Sequence, residues 1–334
     1  MRTMMWNFKE YGKAAAMLSD SGESMAYDEL YDIGEQFADT IGHRCLVFLY
    51  CRNEIGSVLG YTSCVNSEIV PVLLNAALDD ELNRHLLEIY QPEYLWMPKD
   101  KKVEFPDMKE VFGAHGYVLL KTGYEKKFEL HKDLCLMLTT SGSTGSPKFV
   151  RQSYINVREN AKSIVEYLDL DSSERPISTL PMNYTYGLSI INSHFMVGAT
   201  LLLTEQGLMQ KGFWEFFHQG EATSFGGVPY TYEMLDRLRF YRMKLPTLRY
   251  MTQAGGKITP ELHKKFAEYA EEQKKKFIVM YGQCEATARM GYLPADKALE
   301  KCGSMGIAIP GGRFHLIDVN GADVTEPHIT GELV

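Results

Sequence analysis

The chain has 334 residues, 45% hydrophobic and 23% charged, with a formal net charge of −8, and that length exceeds the ~100 to 200 residues of one typical domain. The acidic balance leaves no basic footprint for nucleic acid, and no run of about 18 apolar residues offers a membrane span. Residues 1–10 lack the apolar core of a secretory signal, so a cytoplasmic protein is expected.

In chain order, apolar runs predict strands at 45–51, 69–74, 94–97, 117–120, 134–139, 177–180, 199–204, 223–225, 248–252 and 277–281. Helix-length amphipathic segments alternate with them at 27–41, 54–66, 80–90, 153–170, 187–197, 229–242 and 260–276. This alternation is the pattern of parallel sheets covered by helices on both faces. Thr259 before Pro260 is a capping residue followed by proline at the first helical position, a clear helix start. Lys274, Lys275 and Lys276 predict a solvated helix end, where positive charge complements the dipole. Segments 98–108 and 171–176 read as surface connections, the second being the better subdomain boundary. From Gly303 onward glycine-punctuated short strands take over, and Asn320-Gly321 predicts a hairpin turn after 313–319. Six cysteines without a Cys-x-x-Cys pair predict reduced, mostly buried thiols.

The stretch Thr139-Thr140-Ser141-Gly142-Ser143-Thr144-Gly145-Ser146-Pro147-Lys148 follows the apolar run Leu134-Cys135-Leu136-Met137-Leu138. A polar loop leaving a buried strand at its carboxyl end lies where open α/β sheets bind ligands. Its two glycines let backbone N–H groups turn inward, its hydroxyls add donors and acceptors, and Lys148 adds a positive charge that polyphosphate attracts. Composition alone leaves a plain flexible loop equally open. The spacing is not that of a Walker A motif, which needs a Gly-Lys-Ser/Thr ending. No Walker B-type aspartate follows an apolar strand either, which argues against a phosphotransferase of the P-loop kind. No His-Glu-x-x-His pair and no Gly-x-Ser-x-Gly elbow supports a metalloprotease or an α/β-hydrolase.

The wording of the loop, Thr140 to Lys148, resembles the signature of the adenylate-forming enzymes: acyl-CoA synthetases, aryl-CoA ligases, luciferases and adenylation domains of peptide synthetases. Tyr281-Gly282-Gln283-Cys284-Glu285 is similar to that family's Tyr-Gly-x-Thr-Glu motif. Ala254-Gly255-Gly256-Lys257, Leu180-Pro181-Met182-Asn183-Tyr184-Thr185-Tyr186-Gly187-Leu188 and Thr330-Gly331-Glu332-Leu333 add to the likeness, which spans roughly residues 25–334.

The resemblance implies an α/β fold of two doubly wound, mainly parallel subdomains with flanking helices, followed by the start of a small antiparallel β-barrel. The expected divisions are 1–170 with the phosphate loop 139–148, 171–302 with the acyl and adenine pocket, and 303–334. The chain stops one residue after the Thr330–Leu333 motif, before the family's ribose-binding aspartate, hinge and C-terminal lid domain with its catalytic lysine. A large-domain fragment that adenylates poorly or not at all by itself is therefore expected.

The implied reaction is attack of a carboxylate on the α-phosphorus of ATP with Mg²⁺, giving an acyl-adenylate. The acyl group would then pass to coenzyme A or to the thiol of an acyl or peptidyl carrier protein. Thr139, Thr140, Ser141, Gly142, Ser143, Thr144, Gly145 and Lys148 would grip the β and γ phosphates. Glu285 would hold the metal; the alternative is a first-turn glutamate favouring a helix N-terminus. Tyr281 would stack on adenine opposite Ala254, Gly255 and Gly256, with Gly282 and Cys284 nearby. Cys284 departs from the family's threonine, whose hydroxyl bonds the α-phosphate, and a thiol donates more weakly. Thr287 could compensate, or nucleotide affinity could fall; a nucleophilic Cys284, activated by a helix N-terminus, is the remaining reading. Residues 184–189, 226–230 and 253–256 would line the acyl pocket, Tyr184, Tyr186, Gly227 and Val228 foremost, where each tyrosine could equally be ordinary core. Residues 184–189 contain no acid to pair with an α-ammonium, so a fatty, aryl or other plain carboxylic acid is favoured over an amino acid. The alternative to a ligase is a module that binds nucleotide or acyl-adenylate without completing catalysis.

Overall fold

The computed structural model describes residues 4–103, 107–125, 128–139 and 149–334. Two parallel-cored sheets dominate. The first has seven strands in the order Lys109–Ala114, Tyr117–Lys121, Tyr94–Pro98, Leu46–Cys51, Val70–Asn75, Leu134–Thr139 and Phe149–Ser153. Its four inner strands run parallel and the strands at both edges antiparallel. The period-two alternation of a strand divides each apolar run between two cores. Val47, Leu49 and Cys51 face one core and Leu46, Phe48 and Tyr50 the other. Helices Tyr27–Ile41 and Ile55–Asn66 cover the first face and Asp80–Tyr90 the second. The last of these starts under Asp79, whose side chain accepts from the backbone N–H of Glu81 and Leu82.

The second sheet runs Ser224–Gly227, Tyr250–Gln253, Lys276–Tyr281, Gly291–Tyr292 and Ile307–Ala308, the first three parallel and the rest antiparallel. Phe225, Met251, Phe277 and Val279 pack beneath helices Lys211–Gln219, Pro229–Arg237 and Pro260–Glu272. Tyr250, Ile278 and Met280 face the opposite way, toward helices Tyr154–Leu168 and Thr185–Phe195. A separate antiparallel pair, Leu316–Ile317 with Glu332–Leu333, forms the small terminal β unit, and Asn320-Gly321 sits in the turn after its first strand.

A third sheet joins distant parts of the chain. Ala15–Ser19 pairs antiparallel with Ser24–Ala26 and parallel with Leu201–Leu203. An aromatic cluster of Trp6, Phe8, Tyr27, Tyr61 and Phe195 packs beside it. Trp6 Nε1 donates to the Asn192 carbonyl at 3.1 Å, and Tyr61 Oη donates to Asn192 Oδ1 at 2.8 Å. These bonds fix helix Thr185–Phe195 against the N-terminal layers.

Local differences from the sequence reading have identifiable causes. The run at 177–180 makes only isolated bridges, Pro176 to Ser224 and Ile177 to Leu202. The segment expected as one helix over 229–242 ends at Arg237, and Arg239 adopts φ 56° before a short 3₁₀ turn, Phe240–Arg242. Lys275 is not a solvated helix end: the helix stops at Glu272, and Lys275 Nζ donates to the Leu245 and Leu248 carbonyls at 2.9 and 2.7 Å. Cys45, Cys51, Cys64 and Cys135 are buried free thiols, and Cys284 and Cys302 are free and half-buried. No helix among the described residues is long and apolar enough to cross a membrane.

Candidate functional site

In the second sheet the strands Ser224–Gly227, Tyr250–Gln253 and Lys276–Tyr281 end side by side, with Gly227 in register with Gln253 and Gln253 with Val279. The chain leaving the last two ends forms one wall of a cavity of about 580 Å³. Tyr184, Thr185 and Tyr186 at the start of helix Thr185–Phe195 form another. An open sheet leaves such a crevice at the carboxyl ends of its parallel strands, where backbone N–H groups are not consumed by the ladder.

Of the residues singled out by sequence, Tyr184, Tyr186, Ala254, Gly255, Gly256, Tyr281, Gly282, Cys284 and Glu285 all line this cavity. Gly227 and Val228 do not line it; Val228 lies behind Gly255, its Cγ1 3.0 Å from where a Gly255 Cβ would stand. Thr139 is the last residue of its strand and pairs with Phe149. Thr140, Ser141, Gly142, Ser143, Thr144, Gly145 and Lys148 lie outside the described residues.

Gly255 adopts φ +79°, and a Cβ there would come within 2.6 Å of Tyr184 Oη, so this close approach needs glycine. Tyr186 is buried, its hydroxyl 2.7 Å from Thr252 Oγ1. Tyr281 is 36% exposed at the cavity edge.

Cys284, Glu285 and Ala286 form a 3₁₀ turn of three residues, not the first turn of an α-helix. Glu285 therefore has no helix dipole to cap; it is exposed and makes no ion pair with any described residue. Burial pushes the Cys284 thiol above its ordinary pKa and the Glu285 charge pushes it further, while hydrogen bonding with Thr185 opposes them. Such surroundings disfavour a thiolate, which removes the basis for a nucleophilic Cys284. Thr287 adopts φ 60° and lines a separate small cavity with Gln152 and Asn160.

Two supports tie this turn to the first sheet and its neighbouring helix. Gln152, on strand Phe149–Ser153 and 4% exposed, donates from Nε2 to the Cys284 carbonyl at 2.9 Å. Asn160 Nδ2 donates to the Arg289 carbonyl at 2.8 Å. Replacing Gln152 by Ala removes one of two donors to that carbonyl, the Thr287 N–H at 3.2 Å remaining, and the expected loss is about 0.5 to 1.5 kcal/mol. Urea unfolding of Gln152→Ala reads this directly, and an unchanged midpoint would show the contact to be dispensable.

Sequence reasoning missed Arg289 and His263 among the cavity residues, whereas Gln253 was among those it assigned to the pocket. Arg289 is 3% exposed and reaches the cavity from the strand return after the Cys284 turn. Gln253 is fully buried, with Nε2 donating to the Ala254 and Gly256 carbonyls and Oε1 without a partner. His263 Nδ1 accepts from the Gly303 N–H at 3.3 Å, and burial lowers its pKa. The signal available for Arg289 was its place as the sole charge between Ala286 and Tyr292.

Known proteins are similar to this chain in sequence and in fold. The chain is 26% identical over 313 residues to a 2-succinylbenzoate–CoA ligase of Oceanobacillus iheyensis, covering 86% of this chain and 60% of that one. It is 28% identical over 201 residues to an indoleacetate–CoA ligase of Aromatoleum aromaticum, covering 60% and 38%. The chain thus accounts for less than two thirds of the length of these curated relatives. Among solved structures, o-succinylbenzoate CoA synthetase from Bacillus subtilis, in complex with an acyl-adenylate intermediate, superposes with a TM-score of 0.79 at 19% identity. That match covers 100% of this chain and 69% of the other. The inhibitor-bound N-terminal domain of FACL13 from Mycobacterium tuberculosis has the same TM-score at 16% identity, covering 100% and 88%. The family model described as AMP-binding enzyme matches residues 5–334, and with the motif residues 184–186, 254–257 and 281–285 assembled around one cavity at the strand ends, the chain belongs to the AMP-binding enzyme family.

Proposed function

We propose that the chain carries the nucleotide- and acid-binding site of an ATP-dependent ligase that activates a carboxylic acid. The observation that carries this reading is the meeting of residues 184–186, 253–258 and 279–285 around one cavity at the ends of parallel strands. The names of the relatives, ligases joining 2-succinylbenzoate or indoleacetate to CoA, support a carboxylic acid as substrate and CoA as acceptor. A carrier-protein thiol is the other acceptor the chemistry admits.

The carboxylate would attack the α-phosphorus of ATP, releasing pyrophosphate, and the acceptor thiol would then displace AMP from the acyl-adenylate. Two anions must approach, so positioned donors matter more than any nucleophile supplied by the protein. Thr139, the hydroxyls and amides of 140–145, and Lys148 would hold the β and γ phosphates. Tyr281 would stack on adenine across from Ala254, Gly255 and Gly256, with Gly282 and Cys284 beside the α-phosphate. Tyr184 and Tyr186, backed by Gly227 and Val228, would shape the acyl end. Glu285 offers hard carboxylate oxygens at the cavity wall, uncommitted to any described cation, which suits Mg²⁺. When bound, Mg²⁺ neutralises triphosphate charge.

The test is calorimetric titration of this chain with ATP, AMP and a non-hydrolysable acyl-adenylate mimic, with and without Mg²⁺. The mimic should bind, and Glu285→Ala should lose the Mg²⁺-dependent part of ATP affinity, about tenfold or more, with AMP affinity kept. A folded chain that binds none of the three ligands would refute the reading. One observation favours the second reading, a binding module of reduced activity: the half-buried Cys284 thiol stands where a stronger hydroxyl donor is expected, and burial holds it protonated. Cys284→Thr should raise ATP affinity if that donor is what the site lacks.

A further inference from the structure

Arg289 is a buried cation without a counter-ion among the described residues. Its Nε donates to Ser189 Oγ at 3.0 Å, and one terminal nitrogen donates to Tyr167 Oη at 2.9 Å and contacts Met280 Sδ at 3.5 Å. The guanidinium lies 5.3 Å from the Tyr186 ring centroid. Every one of these partners is neutral. Among the described residues no carboxylate pairs with it, and no acceptor engages its second terminal nitrogen, although the residue is only 3% exposed and lines the main cavity. The undescribed loop 140–148 contains no acid that could supply the missing charge.

An arginine keeps its charge on burial, so desolvation costs several kcal/mol unless an anion and full hydrogen bonding repay it. A cation–π contact with Tyr186 returns about 2 kcal/mol at best. The rest must come from something that enters the cavity. We propose that Arg289 selects acids carrying a second acidic group, and that its second terminal nitrogen binds that group while the first carboxylate is activated. This rests on the acid-activation reading above.

The chemistry separates the second group from the first. The reacting carboxylate surrenders its negative charge when it becomes a mixed anhydride. An arginine bound to it would favour the substrate over the product of adenylation, which slows the step. A second carboxylate keeps its charge throughout, so it completes the pair in both states. The same cation repels an α-ammonium, consistent with the lack of any acid in residues 184–189. Ser189 and Tyr167 engage two of the three nitrogens and Tyr186 covers one face, leaving the N–H donors of the second terminal nitrogen for a charge-assisted bond to a carboxylate.

The experiment uses pairs of acylsulfamoyl adenosines, matched in chain length, whose acyl chains end in either a methyl or a carboxylate, together with AMP. Each is titrated into the wild-type chain, Arg289→Met and Arg289→Lys. The wild type should prefer one carboxylate-ended member over its methyl-ended partner by roughly ten- to a hundredfold, the range of a charge-assisted hydrogen bond. Arg289→Met should abolish or invert that preference with AMP affinity unchanged, and Arg289→Lys should keep part of it. A wild type that binds AMP but does not prefer the carboxylate-ended mimics at any length overturns the inference and leaves the ligase reading intact. Loss of AMP affinity in a folded Arg289→Met that equals the loss for both mimics would assign the guanidinium to the nucleotide phosphate instead, which also overturns it. If Arg289→Met does not fold, the wild-type comparison still decides. Failure of the wild type to bind AMP at all would mark failure of the ligase reading itself.

Discussion

Gly282→Ala is expected to remove nucleotide binding and to cost the fold more than about 2 kcal/mol, an overpacking penalty at its upper end. A Cβ at this position would overlap the Ala288 carbonyl oxygen, with the Ala288 carbonyl carbon and Arg289 Cα close behind. The obstacle is backbone, so no side-chain rotation relieves it. The turn has no slack either: Ala288 N donates to the Gln283 carbonyl at 3.1 Å and Met290 N to the Tyr281 carbonyl at 2.8 Å. Thr287 and Ala288 already sit at φ 60° and 83°. Accommodating a methyl must therefore spread the two strands apart, which moves Tyr281, Cys284, Glu285 and Arg289 together. AMP affinity should fall at least about a hundredfold, or ~3 kcal/mol. Gly116→Ala is the control: Gly116 is at positive φ, +74°, as Gly282 is not, but has nothing within 4 Å of a Cβ. It should cost about 1 kcal/mol and leave AMP binding alone. Wild-type affinity in Gly282→Ala would contradict the overlap.

The second large effect is loss of stability in acid, centred on His194. Burial lowers its pKa to about 4, with the Ile190 carbonyl opposing and the Arg289 charge adding to the depression. Its Nδ1 lies 2.8 Å from the Ile190 carbonyl and its Nε2 3.0 Å from Tyr250 Oη. A neutral ring with its proton on Nδ1 satisfies both, donating to Ile190 and accepting from Tyr250. An unfolded histidine titrates near 6.5, so between that pH and about 4 the unfolded chain binds the extra proton and the native one does not. The contribution is complete above about pH 6.5 and is lost as the pH falls toward 4, after which it changes no further. The full loss is roughly 3 kcal/mol. His194→Gln can keep both hydrogen bonds without titrating. The difference in unfolding free energy between wild type and His194→Gln, followed by urea titration from neutral pH to about pH 4, should therefore shrink or reverse by that amount. A difference independent of pH would rule out His194 as the acid-sensitive group.

Much of the fold was legible because apolar periodicity was clean where burial was two-sided. The inner strands Leu46–Cys51, Val70–Asn75 and Leu134–Thr139 are apolar runs of strand length, and helices Tyr27–Ile41 and Asp80–Tyr90 carry an obvious polar face. What escaped notice was edge and peripheral structure. Lys109–Ala114 and Phe149–Ser153 are edge strands, only partly buried and mixed in composition. Ala15–Ser19 acquires its strand character from pairing with Leu201–Leu203, a contact no local window contains. Helix Lys211–Gln219 is aromatic on its buried side and was obscured by the polar residues around it. At the candidate site the motif segments announced themselves by wording. Arg289 did not, because a single arginine in sequence says nothing about its burial or the neutrality of its neighbours. The family resemblance assigns Val228 to the acyl pocket, and its side chain packs behind Gly255.

The bond from Trp6 to Asn192 spans 186 residues, and strand Ala15–Ser19 waits as long for Leu201–Leu203. During synthesis, at ~5 to 20 residues per second, the aromatic cluster around Trp6 and the open side of the N-terminal hairpin would stay uncovered for roughly ten to forty seconds. The N-terminal sheet could assemble its inner strands in that interval, yet it would emerge from the ribosome with an unpaired edge and exposed rings, the kind of surface that chaperones bind. Closure of that seam sets helix Thr185–Phe195, and with it Tyr184 and Tyr186, against the layers below. The pocket wall is thus a late event in the life of the chain, completed only when its beginning finds its middle.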